Sequence, residues 1–318
     1  VVLVGLTTVA CSQDDGDGMQ DSAGAGDDAL MEDHTPPQGA GPRQAYSLFG
    51  EPLYAMPDTS AAVREADEAL AADPDSVDLL IRAGRVRRNV WHYRDAMDLY
   101  TRAMELAPGD WRPPRFRGHR YISLRQFDSA AVDLERARSL APLNWDVAYH
   151  LGLAYYLAGR FDDAADEYLR CLELAGDSEA EAAASDDFRS CAENATDPES
   201  RAAMLEWAVR ASARAGRTGV TEELLARVEE GWPIEENKAY YHDLLFYKGL
   251  MDAETLLNPG PDGPYRRETV GYGVANWWIV QGDTASAEAL LEELVKDPWW
   301  PGFGRIAAEA ELARLRGR

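Results

Sequence analysis

Residues 145–178 read WDVAYHLGLAYYLAGRFDDAADEYLRCLELAGDS, and the same unit precedes them twice, at 77–110 and 111–144. With the three copies in register, Gly84, Gly118 and Gly152 share a column, and so do Ala96, Ala130 and Ala164. Tyr93, Phe127 and Phe161 align, as do Tyr100, Leu134 and Tyr168, then Ala103, Ala137 and Cys171, then Leu106, Leu140 and Leu174. Each copy closes on Pro108, Pro142 or Gly176. Agreement at seven columns in three copies is not chance. A proline that cannot continue a helix ends each of the first two units, and small residues sit where two helices must approach closely. The unit is therefore an antiparallel helix pair whose apolar faces are buried only when neighbouring units stack.

A 34-residue period with small and aromatic residues at these offsets resembles the tetratricopeptide repeat. The third copy carries it most clearly, as Leu151-Gly152-x-x-Tyr155 followed by Ala164-x-x-x-Tyr168. The expected fold is all-α, a right-handed superhelical solenoid of antiparallel helix pairs, and no strand-period segment of any length is apparent. The first copy departs from the third. Trp91 stands where Gly159 makes the turn between the helices, and Arg87 stands where Tyr155 does, which predicts an altered turn there.

Outward from 77–178, Ala61 to Ala72 is a helical segment in register with the second helix of a leading, degenerate repeat, and 45–76 is expected to act as an atypical cap. Beyond it, 179–318 reads as divergent helix pairs: Glu199 to Ala215 with Val220 to Glu230, Glu235 to Leu250 with Ala253 to Leu257, and Arg267 to Val280 with Ala285 to Val295. Asn258 to Pro264 is the strongest breaker cluster. Phe303 to Leu315 reads as an amphipathic helix that caps the C-terminal end.

At the N-terminus, an apolar run ends in Thr8-Val9-Ala10-Cys11-Ser12, which resembles a bacterial lipoprotein signal. The resemblance implies cleavage before Cys11, lipid attachment there, and a place in the bacterial cell envelope, at the outer membrane on its periplasmic face. The apolar run is about half the roughly 20 residues a membrane-spanning helix needs. Residues 12–42 hold eight acidic residues and no Lys or Arg. Such a stretch cannot bury enough apolar surface to offset ordering, and is expected to be a disordered leash.

The whole chain of 318 residues carries a formal charge of −24, which argues against binding nucleic acid or anionic membrane surfaces. Charge is not uniform. Between 77 and 125 there are eleven arginines against five acidic residues. In tetratricopeptide proteins the concave groove is lined by first-helix residues flanking the glycine, and here that stripe is Ile81, Arg85 and Arg88, then Arg115, His119 and Ile122, then Tyr149, Leu153 and Tyr156, with Arg112 one turn further. Planar guanidinium forks suit carboxylates, so the expected partner is a protein offering an acidic or C-terminal peptide segment. Taken singly, each arginine reads equally as a solvated side chain paired with a native carboxylate.

Chemistry-bearing motifs are absent. None of His34, His92, His119, His150 and His242 has metal-ligand spacing with a cysteine, and there is no HExxH, GxxxxGK[ST] or GxSxG. No cofactor, metal or catalytic residue is expected. Two competing readings remain open, an enzyme with a site in the irregular 178–265 region near His242 and Asp243, and self-association through Trp277-Trp278 or Trp299-Trp300. Oligomeric state is not legible. Cys171 and Cys191 are able to pair in an oxidising compartment if the fold brings them together.

Overall fold

The computed structural model describes residues 39–58, 60–177, 189–258 and 267–317. Cys11, most of the acidic stretch, residues 178–188 and most of the breaker cluster lie outside them. Among the described residues there are fifteen helices and one short hairpin, an all-α solenoid. The hairpin joins β1 (Arg43–Tyr46) to β2 (Pro52–Tyr54) through a turn in which Gly50 takes φ +84°. It corrects the expectation of no strands. Two strands of four and three residues are too short for an alternating pattern to register in the sequence.

The helices follow as α1 (Ala61–Ala72), α2 (Val77–Arg88), α3 (Tyr93–Leu106), α4 (Arg112–Ser123), α5 (Phe127–Leu140), α6 (Trp145–Leu157) and α7 (Phe161–Leu172). Then come α8 (Cys191–Asn194), α9 (Pro198–Arg214), α10 (Thr218–Ala226), α11 (Lys238–Tyr247), α12 (Ala253–Leu257), α13 (Arg267–Gln281), α14 (Thr284–Leu294) and α15 (Phe303–Leu315). In the three repeats α2 packs on α3, α4 on α5 and α6 on α7, and each pair packs on the next.

The conserved spacing of small and large residues acts as reasoned. A Cβ on Gly84 would stand 2.4 Å from the Tyr100 ring, one on Gly118 2.7 Å from Leu134, and one on Gly152 2.5 Å from Tyr168. Each glycine is the socket for the large residue of its own partner helix, while Ala96, Ala130 and Ala164 are sealed completely. Pro113 and Pro114 sit in the first turn of α4, where backbone N–H groups lack helical acceptors in any case.

The turn of the first repeat is not altered. Trp91 takes φ +61° and Arg125 takes φ +64°, in the same column as Gly159 at +79°. Left-handed backbone costs a residue with a Cβ about 1 kcal/mol or more, and it persists only where surrounding contacts impose it. Both side chains are gripped by the C-terminal segment. Trp91 meets Trp299 edge-on at 5.1 Å and Trp300 at 5.6 Å. Arg125 places two nitrogens on the Glu309 carboxylate, at 2.6 and 2.9 Å, and a third contact on the Trp300 carbonyl at 2.9 Å.

Cys171 and Cys191 form a disulfide, with Cα atoms 5.1 Å apart, that ties the end of α7 to α8. Beside it, Asn144 caps α6 by accepting from the Val147 N–H at 3.0 Å, and the Trp145 N–H donates to the Arg189 carbonyl at 2.8 Å. Of the described helices, none is long and apolar enough to cross a membrane.

Candidate functional site

The stripe of first-helix residues lies on one side of α2, α4 and α6, but most of it is covered. The C-terminal helix α15 packs on the last helix pair, α13 and α14, as expected of a cap, and its first turn also reaches this inner side. Phe303 packs on His119 at 5.8 Å, on His150 at 6.2 Å and on Tyr149 at 6.4 Å. Further along, Arg314 donates to the Leu157 carbonyl at 2.8 Å, and Glu311 accepts from Arg214 of α9 at 2.5 and 2.9 Å. Glu309 receives Arg125, Arg305 at 3.2 Å and the Leu48 N–H at 3.3 Å. Trp300 completes the closure by donating its indole N–H to the Tyr54 carbonyl at 3.0 Å. Hairpin, repeats and C-terminal helix thus form one closed body.

The structure divides the stripe in two. Arg115, His119, Tyr149, Leu153 and Tyr156 are buried, at 0–7% exposure, and are not surfaces of an open groove. Tyr149 accepts from the Trp207 indole at 3.0 Å, and Tyr156 donates to the Asn276 side-chain oxygen at 2.8 Å while accepting from Tyr272 at 2.8 Å. Arg85 is exposed, and Arg88 and Arg112 are half-exposed. They make the rim that is left. Arg112 is shared between Asp78 at 2.8 Å and Asp110 at 2.7 Å, carboxylates that raise its pKa and with which an acidic ligand would compete. Arg85 and Arg115 flank the Phe116 ring at 5.6 and 4.8 Å, Arg85 from the exposed side and Arg115 from the buried one.

The sequence did not single out the carboxylates of α15. Glu309 and Glu311 sit in a helix otherwise lined by Ala307, Ala308, Ala310, Leu312 and Ala313, and both are sealed. Two signals were available. One was a pair of acids on the apolar side of a terminal helix, and the other was the two non-glycine residues in the turn column of Gly159.

In the irregular half, Asp243 converges with Glu206, Arg210 and Tyr247, all essentially without exposure. Arg210 pairs with Glu206 and lies 3.0 Å from Asp243, and the Tyr247 hydroxyl donates to Glu206 at 2.7 Å. One guanidinium faces two carboxyl groups in a dry site. Burial pushes Glu206 up to about 7, and pushes Asp243 well above the ordinary carboxylate range. His242 is not part of this cluster. Among the described residues, no three His, Cys, Asp or Glu side chains are placed to hold a metal ion.

The sign of the pH effect follows. A carboxyl group whose folded pKa is raised holds a proton that the unfolded chain gives up near pH 4. Its contribution to stability is full below that pH and is lost as pH rises through the folded value. Burial lowers the pKa of His119 and His150, which act in the opposite sense, but only below about pH 6.5. Above about pH 6.5, where the histidines no longer contribute, stability is therefore expected to fall as pH rises through the Glu206 value of about 7 and on toward the higher value of Asp243, read from urea unfolding. Asp243→Asn, which keeps a neutral partner for Arg210, should flatten that fall. An unchanged slope in the variant would remove Asp243 as its source.

The tetratricopeptide repeat family model matches residues 145–178. Among solved structures the chain is similar to YrrB, described as a TPR protein with an unusual peptide-binding site. The TM-score is 0.43 at 14% identity, covering 79% of this chain and 99% of that one. It is also similar to a chain of the Naa15/Naa10 structure bound to HypK-THB, with a TM-score of 0.37 at 15% identity, covering 77% of this chain and 36% of that one. No curated protein sequence matches it. The chain carries a tetratricopeptide repeat at 145–178, set within an all-α solenoid of helix pairs.

Proposed function

We propose that the protein is a non-catalytic interaction scaffold of the bacterial cell envelope, anchored by lipid on Cys11, that binds acidic peptide segments along the rim formed by Arg85, Arg88 and Arg112. The observation that carries the binding reading is the molecule's own C-terminal helix. Its first turn reaches the inner side of the repeats, and it is held by carboxylates, Glu309 on Arg125 and Glu311 on Arg214. Carboxylates of a helix are thus already received by arginines beside the repeats in cis, and the arginines at the N-terminal end of the stripe carry the same chemistry toward a second chain. Full burial of Glu206, Arg210 and Asp243 supports a structural role for the cluster that an enzyme reading would need as its site.

The test is binding of a fluorescent, glutamate-rich peptide to the soluble chain and to a variant carrying Arg85→Glu, Arg88→Glu and Arg112→Glu. Charge reversal at a rim acts chiefly on association and on salt dependence, so the variant should lose tenfold or more in affinity, about 1.4 kcal/mol, with most of its salt sensitivity. Equal affinity for both proteins would place binding elsewhere.

The disulfide supports the envelope reading, since such bonds persist in oxidising compartments. Protein recovered from cells under thiol-blocking conditions is expected to retain the Cys171–Cys191 bond. Recovery with both thiols alkylated would argue for a reducing compartment. With the cysteines 20 positions apart, losing the bond through Cys171→Ser and Cys191→Ser should lower stability by about 3 kcal/mol in urea unfolding.

A further inference from the structure

Between α4 and α6, beneath the rim arginines, lies a cluster that the peptide reading does not use. His119 and Ser123 of α4 are entirely sealed, and His150 of α6 is 2% exposed. The imidazole rings of His119 and His150 lie 4.2 Å apart, with Phe303 of α15 closing over both. Both ring nitrogens of His119, the Ser123 hydroxyl and Nε2 of His150 are shut off from solvent without a hydrogen-bond partner. Native proteins nearly always satisfy buried polar atoms, and four together in one place point to a bound species.

The geometry decides its charge. Nδ1 of His150 lies 2.6 Å from the Asp146 carbonyl oxygen. A carbonyl only accepts, so the proton of the neutral ring sits on Nδ1 and Nε2 presents a bare lone pair. The charged groups around the two rings are largely cationic: Arg115 and Arg120 on α4 and Arg88 on α2 all act on both. Asp146 on α6 is the facing carboxylate, and it is engaged by Arg115 at 3.5 Å and Arg189 at 3.8 Å. On α15 the Glu309 carboxylate is taken by Arg125, and Tyr149 beside His150 is neutral.

We propose that His119, Ser123 and His150, flanked by Arg115 and Arg120, form a binding site for a small oxyanion, and that His150 takes up one proton from solvent as the anion binds. The proton adds to the Nε2 lone pair, and the N–H so formed donates to an anion oxygen beside the N–H of His119 and the hydroxyl of Ser123. No other bond changes. In the protein alone, burial and the three guanidinium groups keep both rings neutral. A bound anion reverses the local field and makes the imidazolium favourable. The site does not depend on the rim binding a peptide, and its probe is not a peptide.

The probe is inorganic sulfate, which does not titrate near neutrality, measured against chloride at equal ionic strength. Calorimetric titration of the full chain should show saturable one-to-one binding that weakens about tenfold per pH unit between pH 6 and 8. Buffers of different ionisation heat should reveal uptake of one proton. His150→Gln keeps a polar side chain without the titration, so it should bind more weakly and lose the pH slope. His119→Gln should weaken binding and keep the slope. Proton uptake in the unmodified protein tests the proposal even if a variant folds poorly. Absence of saturable sulfate binding, or the same pH slope in His150→Gln, would overturn it.

Discussion

Gly304→Ala is expected to unseat the C-terminal helix and to lower stability by about 3 kcal/mol or more. A Cβ at this position would stand 2.2 Å from the Glu268 carbonyl oxygen, 2.4 Å from its carbon and 2.7 Å from the Thr269 nitrogen. All three are backbone atoms at the start of α13, so no rotamer change relieves the contact. Nor has α15 room to retreat, because Phe303, Ile306 and Ala307 on it are buried to 3% exposure or less. Gly152→Ala is the instructive comparison. Its Cβ would meet the Tyr168 ring, a side chain that moves more readily than backbone, so a smaller loss is expected there. Urea unfolding of the two variants ranks them. A second reading comes from an apolar dye, because Tyr149 loses the cover of the Phe303 ring once α15 lifts. A Gly304→Ala protein within about 1 kcal/mol of the parent, with no gain in dye binding, would mean that the two backbones do not meet so closely.

Much of this architecture is legible in the sequence because the repeat writes its packing rule three times. A glycine facing a large residue of the partner helix, and an alanine sealed between helices, are local requirements, and local requirements leave periodic marks. The helix limits after the repeats were readable for the same reason. Gly216 and Gly282 take φ +73° and +90° at turns the sequence had placed there. What was not legible is long-range. Nothing in the order of residues says that Glu309 meets Arg125, 184 positions earlier, or that Trp300 reaches Tyr54. The groove expectation failed at Arg115, His119, Tyr149, Leu153 and Tyr156 for that reason. The stripe is covered from within the molecule, by Phe303 at His119 and Tyr149 and by Trp207 and Tyr272 at Tyr156. Arg85, Arg88 and Arg112, at the N-terminal end, are the part of the stripe that stays at least partly exposed.

The contact that seats the C-terminal helix is Arg125 on Glu309, and removing one half of it should be more damaging than removing both. Arg125 and Glu309 have side chains 2% and 1% exposed and meet through two parallel hydrogen bonds. Arg125→Met leaves the Glu309 carboxylate sealed with Arg305 and the Leu48 N–H, and takes from the Trp300 carbonyl the donor that Arg125 supplied. Breaking a buried pair in this way costs about 3–5 kcal/mol. Arg125→Met combined with Glu309→Met removes both charges and fills similar volume, so the double variant should regain much of that loss, leaving a coupling of a few kcal/mol in the thermodynamic cycle. Arg125→Gly separates the remaining ingredient. It relaxes the positive φ at this turn, worth about 1 kcal/mol, while still stranding Glu309. It should therefore be destabilised nearly as much as Arg125→Met, despite standing where Gly159 stands in the third repeat. If Arg125→Gly matches or exceeds the parent in stability, backbone strain outweighs the ion pair. The C-terminal helix would then owe its seat to Phe303, Trp300 and the apolar contacts around them.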